Sequence, residues 1–471
     1  MARTVRHGAC SLSTLNCLAV KLTVRPGLPY RGQSRLTNLV GSGPKNDSDP
    51  FGCVGSGPKN DSDPFWFDMP LSFRPSPNIA RLKESATLAV AAKARALKAQ
   101  GIPVIDLGAG EPDFDTPAFI RLAATAAMDA GATRYTNTEG ILPLREAIAA
   151  DANQIQIQGA PVTAAEVVVS NGSKQSLYNA CVCCFGPGDD VLIPIPSWTS
   201  YFEMVELARA TAVPVHGDPA NSLKVTADLL AAAATPATKG LMLNSPSNPT
   251  GAVYSREELS AILELADARG WWVIADEIYL RIDYEGRAVS ALEVATSRDN
   301  LIVINGVAKA YAMTGWRIGW SIAPAAVSKA MTNFQGHTTS NAAAVSQHAA
   351  LAAIADRAQA DEAVSHMVAA FRQRRDAVVH ALSAFPAVRY VHPEGAFYVY
   401  INVDGFRGAD DPGAAFAAAV LDEYQVAIVP GSAFGTPNWI RASYATTESV
   451  AVEGLTRIAT CLTTPATESP R

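Results

Sequence analysis

The strongest constraint on this chain's fold is a series of short runs that are apolar along their whole length. Val167–Ser170, Val191–Ile195, Leu241–Asn244, Trp272–Ala275, Leu301–Ile304 and Ile318–Ile322 are all of this kind. A strand that shows water one face alternates apolar and polar side chains. A strand apolar throughout must be covered on both faces. Longer helix-like stretches, Arg256–Arg269 among them, lie between several of the runs. This alternation predicts an α/β fold with a mostly parallel sheet and helices on both sides. In such sheets ligands sit beyond the carboxyl ends of the strands. Side chains with chemistry to perform should therefore follow the runs directly.

They do. After Val167–Ser170 comes Asn171-Gly172-Ser173-Lys174 and a helix-like stretch, whose first N–H groups could hold a phosphate. After Leu241–Asn244 comes Ser245-Pro246-Ser247-Asn248-Pro249-Thr250-Gly251. After Trp272–Ala275 come Asp276, Glu277, Ile278 and Tyr279, and after Leu301–Ile304 come Asn305 to Lys309, with Arg317 close behind. Each alone is weak. Asn-Pro-Thr-Gly is more often a plain turn, a strand-end carboxylate a capping group, and a single lysine a surface residue. Together they supply what a phosphorylated pyridine aldehyde needs. Lys309 can bond to the aldehyde, which requires an amine that is not fully solvated. Asp276 can keep a pyridine nitrogen protonated. Arg317 and the Gly172–Ser173 helix start can hold a phosphate dianion.

Ser245-Pro-Ser-Asn-Pro-Thr-Gly251, Asp276-Glu-Ile-Tyr279 and Lys309-Ala-Tyr-Ala-Met-Thr-Gly-Trp-Arg-Ile-Gly319 resemble the class I aminotransferases of pyridoxal-phosphate (PLP) fold type I. The resemblance runs from about Ser85 to about Leu462 and takes in Gly108-Ala-Gly-Glu-Pro-Asp-Phe-Asp-Thr-Pro117. It implies a large PLP-binding domain over residues 115–370. A smaller α+β domain would be built from 78–114 and 371–462, leaving 463–471 as a disordered tail. It implies a homodimer with sites shared across the interface. It also implies roles. Lys309 would carry PLP, and Asp276 would face its ring nitrogen. Tyr279 and Asn248 would reach its phenolic oxygen, and Trp198 would stack on the ring. Gly172, Ser173, Lys174 and Arg317 would serve the phosphate, with Tyr135 reaching the phosphate of the neighbouring subunit. Arg441 would clamp the substrate α-carboxylate beside Gly110 and Asn248, a task suited to a guanidinium fork. The implied reaction is ping-pong transfer of an amino group between aspartate or glutamate and a 2-oxo acid: oxaloacetate, 2-oxoglutarate or prephenate.

Within that family the likeness is strongest to bacterial-type aspartate and plastid aspartate/prephenate aminotransferases. It rests on Val169-Ser-Asn-Gly-Ser-Lys-Gln-Ser176 and Val429-Pro-Gly-Ser-Ala-Phe434. Two positions depart from common family patterns. Gly306 stands where a serine often precedes the lysine by three residues. Gly336, five residues before Asn341 of Ser340-Asn341, stands where animal-type enzymes place an arginine for the distal carboxylate. Lys174 is the candidate replacement, with Thr87 and Ser85 nearby. The same fold hosts carbon–sulfur lyases, so fold alone does not fix the reaction. A PLP-fold transcription regulator would need a fused helix-turn-helix and a basic face, which the leader does not offer.

Before Asp47 the chain has no acidic residue but carries Arg3, Arg6, Lys21, Arg25, Arg31, Arg35 and Lys45. An acid-free, Arg- and Ser-bearing start reads as an organelle transit peptide, for the chloroplast or alternatively the mitochondrion. Val40–Phe51 is repeated identically as Val54–Phe65. Two polar copies cannot stack into a solenoid, and their Gly, Pro, Asn, Asp and Ser content reads as linker, so residues 1–67 are expected outside the fold. A net charge of −6 gives no reason to expect nucleic acid as partner, and no apolar run reaches membrane-spanning length. The seven cysteines form no Cys/His array with zinc spacing; Cys181, Cys183 and Cys184 read as packing residues of a helix.

Overall fold

The computed structural model describes residues 74–80, 82, 86–155, 157 and 159–464. The acid-free leader, the duplicated segment, Ser85 and residues 465–471 lie outside these residues. Thirteen strands are described: β1 (Ile105–Asp106), β2 (Val167–Ser170), β3 (Asp190–Ile195), β4 (Thr211–His216), β5 (Thr238–Asn244), β6 (Trp272–Asp276), β7 (Leu301–Gly306), β8 (Gly319–Ile322), β9 (Tyr390–Val391), β10 (Tyr398–Asn402), β11 (Val426–Ala427), β12 (Val429–Pro430) and β13 (Trp439–Ser443). The six apolar runs became β2, β3, β5, β6, β7 and β8, all members of one seven-stranded sheet in the order β2-β8-β7-β6-β5-β3-β4. Four of its six pairings are parallel; only β8 runs against its two neighbours. Every residue of β2 and β8 is buried, as strands apolar throughout require.

The seventh member, β4, was not among the predicted strands. Its sequence, TAVPVH, is half exposed and contains Pro214. Proline removes a ladder donor and is tolerated at a sheet edge, which is where β4 lies. Between strands, the helix Arg256–Arg269 has the bounds its sequence suggested. Ser255 and Glu258 form a reciprocal capping box at its start, and Gly270 closes it at φ 64°.

Register gathers the chemistry at one edge. Asn244 lies opposite Asp276, and Asp276 opposite Ile304. Antiparallel β8 begins at the same edge, with Gly319 opposite both Gly306 and Ser170. The turns after β2, β5, β6 and β7 therefore emerge side by side.

A second, antiparallel sheet has the order β12-β13-β10-β9, and β1 pairs in parallel with β11. One apolar cluster runs through both sheets: it includes Val169, Leu243, Val273 and Val303, and also Val399, Ile401, Ile440 and Ala442. That shared core fixes the second sheet against the first. The boundary expected between residues 370 and 371 falls inside one continuous helix, Arg357–Ser383. An unbroken backbone ladder keeps that segment rigid on both sides of the boundary. The last described helix is Glu448–Thr463, so Thr463 is ordered helix and the expected tail begins too early by at least this residue.

Candidate active site

Lys309 stands three residues beyond β7, in the turn that leads to β8. Its Nζ donates to the carbonyl oxygen of Gly110 and lies 5.8 Å from the ring centre of Tyr279. Desolvation pushes its pKa down to about 8. Glu111 and Asp276 oppose the shift, while the Arg441 and Arg317 guanidinium groups add to it. An amine near neutrality is what covalent chemistry with a carbonyl requires.

Asp276 ends β6 and is only 4% exposed. Its carboxylate accepts a 2.7 Å hydrogen bond from the Tyr201 hydroxyl and a 3.2 Å bond from the Ile278 N–H. Burial still dominates and raises its pKa to about 6, despite those bonds and the charge of Lys309. A buried carboxylate in this condition is stabilised by any cation placed against it.

At the other side of the cavity, Gly172 precedes the helix Ser173–Cys184 with φ 85°, a left-handed conformation suited to glycine. A Cβ there would collide with the Arg317 guanidinium. The helix start therefore presents first-turn N–H groups next to a guanidinium, a seat for a phosphate dianion. The departure at Gly306 has its explanation here. A Cβ on Gly306 would come within 2.6 Å of Ser173 Oγ and 3.0 Å of Gly319 Cα. The hydroxyl of Ser173, which donates 2.9 Å to the Asn305 carbonyl, fills that space. A side chain at 306 and the Ser173 hydroxyl could not both fit there.

Arg441, in the middle of β13, closes the third side. It is 1% exposed. Its guanidinium donates 2.9 Å to Asn248 Oδ1 and 2.7 Å to the Gly108 carbonyl, and it lies 4.4 Å above the Tyr398 ring. Its buried Nε has no hydrogen-bond partner, and no carboxylate forms an ion pair with it among the described residues. A buried guanidinium left without an anion is costly unless a ligand supplies one.

These groups share one cavity of about 420 Å³, lined by Gly110, Ser173, Lys174, Trp198, Asn248, Asp276, Tyr279, Lys309, Arg317 and Arg441. That volume suits a small-molecule site. The cradle at Gly172, the buried carboxylate and the orphaned guanidinium fit a phosphorylated pyridine aldehyde with an amino acid beside it. One candidate stands elsewhere. Tyr135 is 92% exposed and does not line the cavity. Thr87 lies in the helix Ala86–Ala99, its side chain outside the described residues, as is Ser85. Tyr279 follows β6 in a turn and lines the cavity. Lys174 is an exposed residue, not the buried cation a tight charge pair would need. Its Nζ rests 4.7 Å over the Trp198 ring, and desolvation, then Arg317, lower its pKa. Gly336 faces outward on the helix Ala325–Thr338, where a Cβ would find nothing nearer than 3.9 Å.

Among the cavity residues that were not foreseen, three bear on the chemistry. Tyr201 sits one turn past Trp198, a Trp-x-x-Tyr spacing that could have linked the two. Glu111 lies inside a quoted motif, and its carboxylate accepts from the Thr314 hydroxyl. Tyr398 lies in Phe397-Tyr-Val-Tyr-Ile-Asn402, which reads as ordinary core strand.

Fold and site together place a lysine amine, a buried carboxylate and two guanidinium groups around one cavity at the carboxyl edge of an α/β sheet. The family profile "Aminotransferase class I and II" matches residues 102–458. An aspartate aminotransferase of Streptomyces avermitilis is 45% identical over 398 residues, covering 83% of this chain and 96% of that protein. An aspartate/prephenate aminotransferase of Cereibacter sphaeroides is 43% identical, covering 81% of this chain and 97% of that one. A solved structure of Thermus thermophilus aspartate aminotransferase with maleate superposes with a TM-score of 0.78 at 38% identity, covering 83% of this chain and all of that one. The chain belongs to the class I and II aminotransferases and is an aminotransferase enzyme.

Proposed function

We propose that this enzyme uses PLP to move the amino group of aspartate or glutamate to a 2-oxo acid. The observation that carries the reading is Arg441: a buried cation with no anion, in the same cavity as Lys309 and Asp276. When bound, PLP supplies an electron sink for the electron pair left at a substrate Cα that has lost its proton. The chain does the rest. The Ser173 helix start and Arg317 hold the phosphate. Asp276 would hold the ring nitrogen, and each would stabilise the other's charged form. Arg441 takes the α-carboxylate, its fork aimed by Asn248 and the Gly108 carbonyl. Lys309, its pKa lowered by desolvation and its Nζ anchored at Gly110, is the base that moves the proton at Cα.

The relatives' names support aspartate as donor and admit prephenate among the acceptors. Lys174 is the second cation at the cavity, available to a distal carboxylate. The exposed Tyr135 supports a homodimer in which it meets the neighbouring site, and the acid-free leader supports delivery to the plastid. A reporter fused to residues 1–67 that stays in the cytosol would refute the last point. For the activity itself, aspartate alone should release one oxaloacetate per site with a change in visible absorbance. The amino-loaded enzyme should then react with oxaloacetate, 2-oxoglutarate or prephenate in a burst whose rates rank the acceptors. No stoichiometric release from aspartate would sink the reading.

A further inference from the structure

Tyr398 is fully buried on β10 of the second sheet and Tyr279 lies in the turn after β6 of the first, yet their hydroxyl oxygens are 2.8 Å apart. Either could donate on geometry alone. A hydroxyl has one proton, however. If Tyr279 gives its proton to the cofactor's phenolic oxygen, Tyr398 must be the donor between the two. The ring of Tyr398 also lies under the Arg441 guanidinium, at 4.4 Å. Its hydroxyl is pressed against the Gly110 segment, where a Cβ on Gly110 would come within 3.0 Å of it. The Gly110 carbonyl is the acceptor for Lys309. One side chain thus touches the carboxylate clamp, the segment that anchors the lysine, and the cofactor-facing tyrosine.

We propose that Tyr398 is a positioning residue that donates to Tyr279 and so strengthens the hydrogen bond Tyr279 makes to the cofactor, while its ring supports Arg441. The inference rests on the PLP reading above. Chained hydrogen bonds polarise one another, so a hydroxyl that accepts a bond is a better donor. Arg441 over the ring adds to this, because a nearby cation makes the Tyr398 hydroxyl a stronger donor. A substrate carboxylate that neutralises Arg441 weakens that effect. Carboxylate binding is thereby felt at Tyr279 without any movement of the backbone.

The test uses the PLP-loaded enzyme and the pH midpoint of its visible absorbance band, read without substrate. Tyr398→Phe removes only the hydroxyl and keeps the ring. The phenolic oxygen should then be less well stabilised as an anion, and the midpoint should rise by about half a unit, a fraction of what one hydrogen bond to a charged group can give. Tyr279→Phe should raise it further. In the Tyr279→Phe background, adding Tyr398→Phe should shift the midpoint by no more, because the relay is already cut. Maleate affinity should hold in Tyr398→Phe and fall in Tyr398→Leu, which loses the ring under Arg441. An unshifted midpoint in Tyr398→Phe, or equal shifts with and without Tyr279, would overturn the inference. A wild-type enzyme that forms no visible band with PLP would instead overturn the function on which it rests.

Discussion

Arg441→Met offers the sharpest separation of function from stability. Methionine keeps a long, flexible side chain in the space between the Tyr398 and Phe434 rings, which flank the guanidinium at 4.4 and 5.1 Å. It removes the guanidinium fork proposed to take the substrate α-carboxylate. Breaking a buried charge pair by deleting one partner costs about 3–5 kcal/mol, much of it from the ion left behind. The expected loss in kcat/KM for aspartate is therefore about two to three and a half orders of magnitude. The ligand-free protein should respond differently. There the guanidinium has two neutral acceptors, Asn248 Oδ1 and the Gly108 carbonyl, an unpartnered Nε and no anion. Leaving those two acceptors unpaired destabilises, while removing an uncompensated buried cation stabilises by a similar amount. Urea unfolding without ligand should thus change by no more than about 1 kcal/mol. Maleate, which should raise the Tm of the wild type, should leave that of Arg441→Met unmoved. Near-normal kcat/KM in Arg441→Met would refute the clamp. A collapse of ligand-free stability would show that Arg441 serves the fold and not the substrate.

Further outcomes follow at three residues of the site. Lys309→Ala should lose the visible band and at least about a thousandfold in turnover. In the wild type, whose Lys309 is lowered to about 8, the initial rate of PLP attachment should climb with pH and level off above about pH 8; a rate still rising steeply toward pH 10 would contradict the desolvated amine. Asp276→Asn should slow proton transfer at Cα while leaving PLP attachment possible. Because burial raises the folded-state pKa of Asp276 from 3.8 to about 6, the ligand-free folded state holds this proton more tightly than the unfolded chain, so stability falls as pH rises through that window. Asp276→Asn should accordingly be the more stable protein at pH 7–8, by on the order of 2 kcal/mol, and lose that advantage by about pH 4; parallel stability–pH curves would refute it. Lys174→Ala should cost aspartate and prephenate no more than about tenfold in kcat/KM, since an exposed ammonium contributes about 0–1 kcal/mol, and should leave phenylalanine unaffected; equal losses for both classes would assign Lys174 to the phosphate.

The amino-acid sequence by itself determined the central sheet and the end at which chemistry collects. Runs such as Val167–Ser170 and Leu301–Ile304 can be stable only if covered on both faces, and that one requirement yields strands, parallel order and a ligand edge. Asp276, Lys309 and Gly172 were legible because each comes within five residues of the end of such a run, so local order and spatial order coincide. Strand β4 was not legible, since a proline-bearing edge strand carries little apolar signal. The tertiary structure alone decided what meets across hundreds of residues. Arg441 reaches Asn248 and Gly108 only because one apolar core locks the second sheet against the first. The Lys174 ammonium was left partly in water, and Ser173 took the space freed at Gly306, by side-chain packing that no spacing rule contains. Tyr398 is the clearest case: within its strand it reads as one more buried aromatic, and its partner Tyr279 is 119 residues away. Periodicity encodes which face of an element is buried; it holds no information about which buried hydroxyl another will find.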